Sequence, residues 1–217
     1  MELYIDSADL TEIEEASKLG VISGVTTNPS LLAKKGHGNV QSVIQKICSL
    51  IPEGPVSMEC LGTTAEEMIE EGKQFATWAP NVYVKVPFCI EGIKAVKWFS
   101  ANAIKTNVTL VFSVNQALLA ANAGATFISA FVGRLDDIGQ DGIAVVKDIV
   151  DFIDCHGFSS QVLAASIRHP LHVAQAAAVS AHIATVPYKI IQQLYHHPLT
   201  VSGIQQFNSD WQTFTKQ

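Results

Sequence analysis

The stretch "NVYVKVPFCIEG" (residues 81–92) places the strongest constraint on both the fold and the chemistry of this chain. The residues around Lys85 are β-branched or aromatic, and such residues suit a buried strand. Pro87 follows two positions later and ends the run. Because an ammonium group is costly to remove from water, Lys85 needs a structural or chemical reason to lie in this strand.

Runs of the same kind recur along the chain and alternate with amphipathic or alanine-rich helical stretches. This is the pattern of repeated βα units around a parallel sheet. The predicted strands are "ELYID" (2–6), "SGVTT" (23–27), "VSMECL" (56–61), "VYVKV" (82–86), "TNVTLV" (106–111), "TFISAFV" (126–132), "QVLAAS" (161–166) and "HIATV" (182–186). An open doubly wound sheet would more often carry a glycine-rich fingerprint, and neither G-x-G-x-x-G nor a Walker loop occurs. The sequence therefore predicts an α/β fold with a single (β/α)₈ TIM barrel and an additional C-terminal helix.

Composition narrows the class of protein. The 217 residues are 48% hydrophobic and 16% charged, which is enough apolar material for one large core, so we expect one domain over residues 1–217. The net charge of −6 and the lack of a basic stripe argue against nucleic acid or an acidic membrane as a partner. The opening "MELYIDSADL" has no signal-peptide pattern, and no later apolar run could span a bilayer, so a cytoplasmic location is expected.

Helix signals separate the strands. "SADLTEIEEASKLG" is predicted to begin at Ser7 as a cap and to close at Gly20, and "TTAEEMIEEGKQFATWA" carries acidic residues in its first turns. After the eighth strand, a further helix over about residues 199–215 spaces its apolar residues at a helical period. That stripe packs either on its own barrel or on a neighbouring subunit. Its apolar residues are Ile204, Phe207, Trp211 and Phe214.

The cysteines and histidines give no sign of a metal site. The cysteines are scattered without a C-x-x-C pair and are expected to be buried free thiols: Cys48, Cys60, Cys89 and Cys155. His169 and His172 lack an accompanying acidic signature, and they open a predicted helix. Neither a metal nor another cofactor is predicted.

Polar residues fall at or just after the carboxyl ends of the predicted strands, which form the catalytic face of this fold. Each has a structural alternative, because Asp6 could cap the first helix, Asn28 could shape the turn before Pro29, and the hydroxyls could bind backbone groups. The set comprises Asp6, Asn28, Glu59, Lys85, Asn107, Thr109, Ser129, Arg134, Ser166 and Arg168.

Lys85 is the residue of this set that demands the most explanation. One reading is a structural ion pair with Asp6 or Glu59. The other is a desolvated amine, which loses its proton readily and then attacks a ketone or aldehyde to form a Schiff base. Arg134 and Arg168 could bind a phosphate through forked hydrogen bonds.

The order of motifs resembles that of the transaldolase family, in particular the short-chain branch that also contains fructose-6-phosphate aldolases. The resemblance covers nearly the whole chain. It rests on "LYIDSAD", "GVTTNPSLL", "VKVP", "TNVTLVFS", "FISAFVGRLDD" and "LAASIRHP".

This resemblance implies a metal-free class I aldolase mechanism in which Lys85 forms the Schiff base. Asp6 would take the proton of the C4 hydroxyl as the C3–C4 bond breaks, and would return it to the acceptor aldehyde. Glu59 and Thr109 would position the water that carries protons during dehydration of the carbinolamine.

The remaining residues would form the substrate pocket. By the same resemblance, Asn28 and Asn107 would hold hydroxyls of the dihydroxyacetone unit. Ser129 and Ser166 would line the pocket. The family likeness also implies that Arg134 and Arg168 clamp the phosphate of a phosphorylated sugar.

Two positions separate the branches of the family. The aldolases carry glutamine where this chain has Glu59 and tyrosine where it has Phe131, so the chain follows the transaldolase pattern at both. The resemblance implies transfer of dihydroxyacetone from sedoheptulose 7-phosphate to glyceraldehyde 3-phosphate in the pentose phosphate pathway. A free fructose-6-phosphate aldolase and a sugar-phosphate binding protein are the alternatives. The resemblance also implies a homo-oligomer, with a decamer of two pentameric rings as one form.

Overall fold

The computed structural model describes residues 1–34 and 38–215, in which eight parallel strands close into a barrel in the order β1-β2-β3-β4-β5-β6-β7-β8. Register pairs such as Glu2↔Ile183 join the last strand to the first. The predicted (β/α)₈ barrel with a C-terminal helix is therefore confirmed. The strands are β1 (Glu2–Asp6), β2 (Ile22–Thr26), β3 (Val56–Glu59), β4 (Val82–Pro87), β5 (Thr106–Val111), β6 (Phe127–Phe131), β7 (Gln161–Ala165) and β8 (Ile183–Val186).

Helices surround the barrel, and most of them bury apolar residues against the outer side of the strands. In the described residues they are α1 (Leu10–Ser17), α2 (Pro29–Ala33), α3 (Val40–Leu50), α4 (Ala65–Ala76), α5 (Ile90–Ala101), α6 (Val114–Ala123), α7 (Val132–Asp136), α8 (Gly142–Cys155), α9 (Pro170–Ala178), α10 (Tyr188–Leu194) and α11 (Pro198–Phe214). None of these helices combines the length and the apolar character needed to cross a membrane.

The barrel interior is filled by side chains and is closed at its amino-terminal end. Tyr4 meets Phe127 edge-on at 6.1 Å between ring centroids, and Tyr83 stacks on Phe127 at 5.0 Å. Leu163, Ala165 and Ile183 complete this small inner cluster. Because the rings fill the barrel below, the space for a ligand lies at the opposite end, above the carboxyl ends of the strands.

Some element boundaries differ from the sequence predictions. β1 and β5 match, whereas β6 ends at Phe131 because α7 begins at Val132. The cap of α1 is Asp9 rather than Ser7, since the Asp9 carboxylate accepts the Thr11 amide at 2.9 Å. Ser7 instead donates to Glu12 at 2.5 Å.

The prediction of buried thiols holds for two cysteines and is wrong for the other two. All four are free; Cys48 and Cys60 are buried, and Cys89 and Cys155 are exposed. Cys89 is the exposed N-cap that precedes α5, where its sulfur accepts the Gly92 amide at 3.2 Å, and Cys155 ends α8.

The C-terminal helix extends from the barrel without burying any of its residues in this chain. Phe207 is 75% exposed and Trp211 is 65% exposed. The apolar stripe predicted from the sequence therefore faces solvent in the single chain. Such a contiguous apolar face is typical of an interaction surface.

Candidate active site

A cavity of about 550 Å³ opens at the carboxyl ends of the strands, where the fold places its catalytic residues. Every predicted site residue except Asn107 lines this cavity. Those residues are Asp6, Asn28, Glu59, Lys85, Thr109, Ser129, Phe131, Arg134, Ser166 and Arg168.

The parallel register brings the central residues into one row. Glu59 on β3 pairs with Lys85 on β4, and Lys85 pairs with Asn107 on β5. Residues paired in this way point to the same side of the sheet, which here is the barrel interior. The row places an amine beside a carboxylate on the floor of the cavity.

Lys85 is only 5% exposed, and its ammonium group makes two polar contacts. Its Nζ lies 3.0 Å from Glu59 Oε2 and donates to the backbone carbonyl of Thr27 at 2.9 Å. Of the two ion pairs considered from the sequence, the one with Glu59 is therefore formed. These contacts hold the amine in one place at the edge of an open cavity.

Asp6 lies across the cavity floor from Lys85, at the end of β1. Its Oδ1 accepts the Thr26 hydroxyl at 2.8 Å, and Thr26 Oγ1 lies 2.6 Å from Thr185 Oγ1. Burial raises the pKa of Asp6 above its ordinary value, although the charge of Lys85 and the Thr26 hydrogen bond oppose the shift. The carboxyl is therefore a better proton acceptor than a solvated aspartate. It does not cap α1.

Thr109 supplies a polar group without a partner. Thr109 is 1% exposed and lines the cavity, and its buried Oγ1 makes no hydrogen bond to any described residue. Buried hydroxyls are rarely left unpaired, so this one is suited to bind a water or ligand atom in the cavity.

The two asparagines have different environments. Asn28 caps α2, where its Oδ1 accepts the Leu31 amide at 3.0 Å, so it has a structural role as a helix cap, whereas the sequence suggested a role in the turn before Pro29. Asn107 is fully buried in the barrel interior and does not line the cavity. Its amide donates to Ser57 at 3.1 Å and accepts from Ser129 at 2.6 Å. Asn107 thus fixes Ser129, which does line the cavity.

The two arginines meet on one side of the cavity rim. Arg134 lies on α7 with its guanidinium carbon 4.9 Å from the centre of the Phe131 ring. Arg168 follows β7 and pairs with Asp137 at 2.8 Å. Ser166 precedes it in a left-handed backbone conformation, with φ of 59°. Both cations are solvent-accessible and can meet an incoming anion.

Sequence reasoning missed several residues that shape the site. Thr26 and Thr185 orient Asp6, the Thr27 carbonyl binds Lys85, and Lys34 lines the rim. A usable signal existed for Thr185, a hydroxyl residue inside the apolar run of β8 at the level of the other polar strand ends. The role of Thr27 involves its backbone and leaves no such signal.

Comparisons with known proteins agree with this geometry. The chain matches the family described as Transaldolase/Fructose-6-phosphate aldolase over residues 3–217. It is 52% identical over 216 residues to a protein of Dehalococcoides mccartyi named probable transaldolase, with 100% of both chains covered. A protein of Desulforudis audaxviator with the same name is 54% identical over 217 residues, again with 100% of both chains covered.

Solved structures of distant sequence share the barrel. The thiamine phosphate pyrophosphorylase from Pyrococcus furiosus superposes with a TM-score of 0.63 at 14% identity, covering 89% of this chain and 93% of that chain. So low an identity shows a common fold alone. The family match and the relatives that are more than half identical along their full length are decisive, and this chain belongs to the transaldolase/fructose-6-phosphate aldolase family.

Proposed function

We propose that this enzyme is a transaldolase that moves a dihydroxyacetone unit from sedoheptulose 7-phosphate to glyceraldehyde 3-phosphate. The products are erythrose 4-phosphate and fructose 6-phosphate. The observation that carries the proposal is the buried amine of Lys85, held 3.0 Å from the Glu59 carboxylate at the floor of an open cavity.

The reaction begins when Lys85 attacks the C2 carbonyl of the ketose. The amine passes a proton to Glu59, directly or through a water, and the freed electron pair forms the C–N bond while the C=O electron pair moves onto the oxygen. A second proton then passes from the nitrogen to that oxygen through water, which gives the neutral carbinolamine. Glu59 then returns a proton to the carbinolamine hydroxyl, which leaves as water and gives the protonated Schiff base. The Thr109 hydroxyl, which has no partner in the described residues, would hold that water.

Cleavage follows at the bond between C3 and C4. Asp6 takes the proton from the C4 hydroxyl, the C3–C4 electron pair moves toward the cationic nitrogen, and erythrose 4-phosphate leaves as the aldehyde. The raised pKa of Asp6 favours this proton transfer. The resulting enamine attacks the aldehyde carbon of glyceraldehyde 3-phosphate, Asp6 returns its proton to the new alkoxide, and water releases fructose 6-phosphate.

Substrate contacts follow from the placement of the other residues. Asn28 uses its oxygen as a helix cap and retains its amide hydrogens for a substrate hydroxyl. Ser129, fixed by Asn107, and Ser166 line the same cavity. Arg134 and Arg168 supply charge for the phosphate, which in an acidic protein requires local cations.

Phe131 is the basis for preferring transfer over release of free dihydroxyacetone. Its ring lines the cavity beside Arg134 and brings no hydroxyl to the enamine. Without a proton donor at this position, the enamine waits for an aldehyde acceptor.

We further propose that α11 packs against a second copy of this chain. The support is its apolar stripe, in which Phe207, Trp211 and Phe214 are exposed in the single chain. A decamer of two pentameric rings is one assembly that fits the family. Light scattering should give a molecular mass that is a multiple of the 23.4 kDa chain mass. Replacing Phe207 and Trp211 with serine should lower the measured mass. A monomeric parent protein would contradict this proposal. The cytoplasmic location stays a prediction.

A coupled assay with and without acceptor tests the transaldolase assignment. Erythrose 4-phosphate is supplied as acceptor to fructose 6-phosphate, and the release of glyceraldehyde 3-phosphate is followed. Formation that depends on the acceptor supports transfer. Equal rates in its absence, with free dihydroxyacetone accumulating, would instead identify an aldolase.

A further inference from the structure

A buried histidine behind the cavity rim connects the two arginine-bearing segments. His172 on α9 is 4% exposed. It has no role in the reaction described above. Its Nε2 lies 2.8 Å from Oδ2 of Asp136, the last residue of α7. Its Nδ1 accepts the backbone amide of Arg168 at 3.2 Å.

These contacts fix the protonation of the His172 ring. Because His172 Nδ1 accepts a hydrogen bond, the ring carries its hydrogen on Nε2 and donates it to Asp136. The other oxygen of Asp136 accepts the Gly142 amide at 2.9 Å. Asp136 is thus a hydrogen-bond acceptor at both of its oxygens.

Arg168 and α7 are also in direct contact. A β-carbon on Gly133 would fall 2.6 Å from Arg168 Cγ, so the stem of Arg168 lies directly on α7 where only glycine leaves room. The guanidinium of Arg168 pairs with Asp137, the residue after α7. Arg134 lies on the same short helix, two residues before Asp136.

We infer that His172 and Asp136 are positioning residues for phosphate recognition, holding Arg168 and the helix that carries Arg134 as one rigid unit at the cavity rim. This inference rests on the proposed function, in which these arginines bind the substrate phosphate. Neither residue touches substrate. They act by fixing the positions of the Arg134 and Arg168 guanidinium groups.

The charged and titratable groups around His172 agree with a neutral ring. Burial lowers the pKa of His172, and so do the nearby His169, whose ring centre is 3.7 Å away, and Arg168. Asp136 opposes the shift. A second proton would place an N–H on Nδ1 against the Arg168 N–H, so protonation would break the link that orders the rim.

Two variants test the inference from different sides. His172→Ala removes the acceptor of the Arg168 amide. Asp136→Asn is nearly isosteric, but an amide must turn its NH₂ either toward the Gly142 N–H or toward His172. The second choice forces the ring hydrogen onto Nδ1, against Arg168.

A matched histidine serves as the control. His182 Nδ1 also accepts a backbone amide, that of Val162 at 3.1 Å, but at the start of β7, which is the opposite end of the barrel. His182→Ala therefore removes the same type of hydrogen bond without touching the rim.

Two measurements separate phosphate recognition from the Lys85 chemistry. The first is the KM for fructose 6-phosphate together with the inhibition constant of inorganic phosphate. The second is the rate at which borohydride traps unphosphorylated dihydroxyacetone on Lys85, which needs no phosphate contact. We expect both constants to rise about tenfold in His172→Ala and Asp136→Asn, the equivalent of one lost hydrogen bond to a charged group, with the trapping rate within about twofold of the parent.

His182→Ala should leave all of these quantities near the parent values. Unchanged constants in both rim variants, or an equal loss in trapping and in phosphate affinity, would overturn the inference. Should one variant fail to fold, as judged by circular dichroism, the other decides the matter. Failure of the parent protein to trap dihydroxyacetone would instead contradict the proposed function, so the two failures are distinguishable.

Discussion

Lys85 Nζ lies 3.0 Å from Glu59 Oε2, and the two residues are directly paired on neighbouring strands of the barrel. This contact unites two readings of Lys85 that the sequence left separate. The carboxylate compensates the buried ammonium group. Under the proposed function, the same carboxylate would receive the proton of Lys85 when a ketose arrives, so the ion pair would be the resting state of the nucleophile.

Thr109→Val tests the role of the unpaired hydroxyl. Because Thr109 Oγ1 has no partner in the described residues, its removal should leave the free energy of unfolding unchanged or slightly higher. Schiff-base formation should slow about tenfold, since the water that carries protons loses one hydrogen bond. Thr106→Val is the matched control, because Thr106 Oγ1 is also unpaired and buried on β5 but does not border the cavity. Equal effects of the two variants on the rate would exclude a specific role for Thr109.

Asp6→Asn should abolish cleavage while stabilising the fold. Loss of the proton acceptor should lower turnover by at least about 100-fold. The pKa of Asp6 in the folded chain is raised above its ordinary value of 3.8. The free energy of unfolding therefore falls as the pH rises from 3.8 to the pKa of the folded chain. Asparagine never ionises, so the variant should gain stability relative to the parent across that window and keep the gain above it.

Urea unfolding from pH 3.5 to pH 8 measures this difference. The Thr26 hydroxyl can still donate to the asparagine oxygen, which keeps the local geometry. A variant that is less stable than the parent at neutral pH would show that the Asp6 charge stabilises the fold, contrary to the direction of its pKa shift.

Arg134→Ala and Arg168→Ala should each weaken binding of phosphorylated sugars. The loss of one charge-assisted contact corresponds to about 1.5 to 3 kcal/mol, or roughly a 10- to 150-fold rise in KM. Trapping of unphosphorylated dihydroxyacetone on Lys85 should change little. Steady-state kinetics with fructose 6-phosphate, beside the trapping rate, give the comparison. Equal impairment of both would assign the arginines a structural role.

Phe131→Tyr should shift the enzyme from transfer toward free cleavage. A hydroxyl at this position can protonate the enamine before an aldehyde arrives, so the ratio of acceptor-independent to acceptor-dependent turnover should rise. Phe112→Tyr is the control, because the Phe112 ring lies 5.6 Å from that of Phe131 but does not line the cavity. An unchanged ratio in a folded, active Phe131→Tyr variant would leave Glu59 as the main basis for the transaldolase assignment.

The barrel was predictable from the sequence because each strand has a recognisable local sequence pattern. β-branched runs alternate with amphipathic segments, and polar residues at strand ends converge once the sheet is parallel. That reasoning places Lys85 and Glu59 at the same end of the barrel, where the structure has them 3.0 Å apart.

Contacts that depend on barrel closure or on helix packing could not be predicted in this way. The Thr26–Thr185 hydroxyl pair that orients Asp6 joins residues 159 positions apart, and it exists only because β8 returns beside β1. The link from His172 to Asp136 depends on where the folded chain places α9 and the end of α7. Local errors were of another kind: Ser7 and Asp9 are both good helix caps, and the sequence alone did not discriminate between them.

Borohydride trapping with fructose 6-phosphate tests the central claim, the Schiff base at Lys85, most directly. Reduction should inactivate the enzyme irreversibly and add the mass of a reduced three-carbon unit to the peptide that carries Lys85, and Lys85→Met should acquire none. Lys34 is the internal control, because it is an exposed lysine on the rim of the same cavity. An adduct at Lys34 or at any other lysine, or active enzyme that forms no adduct at all, would contradict the account.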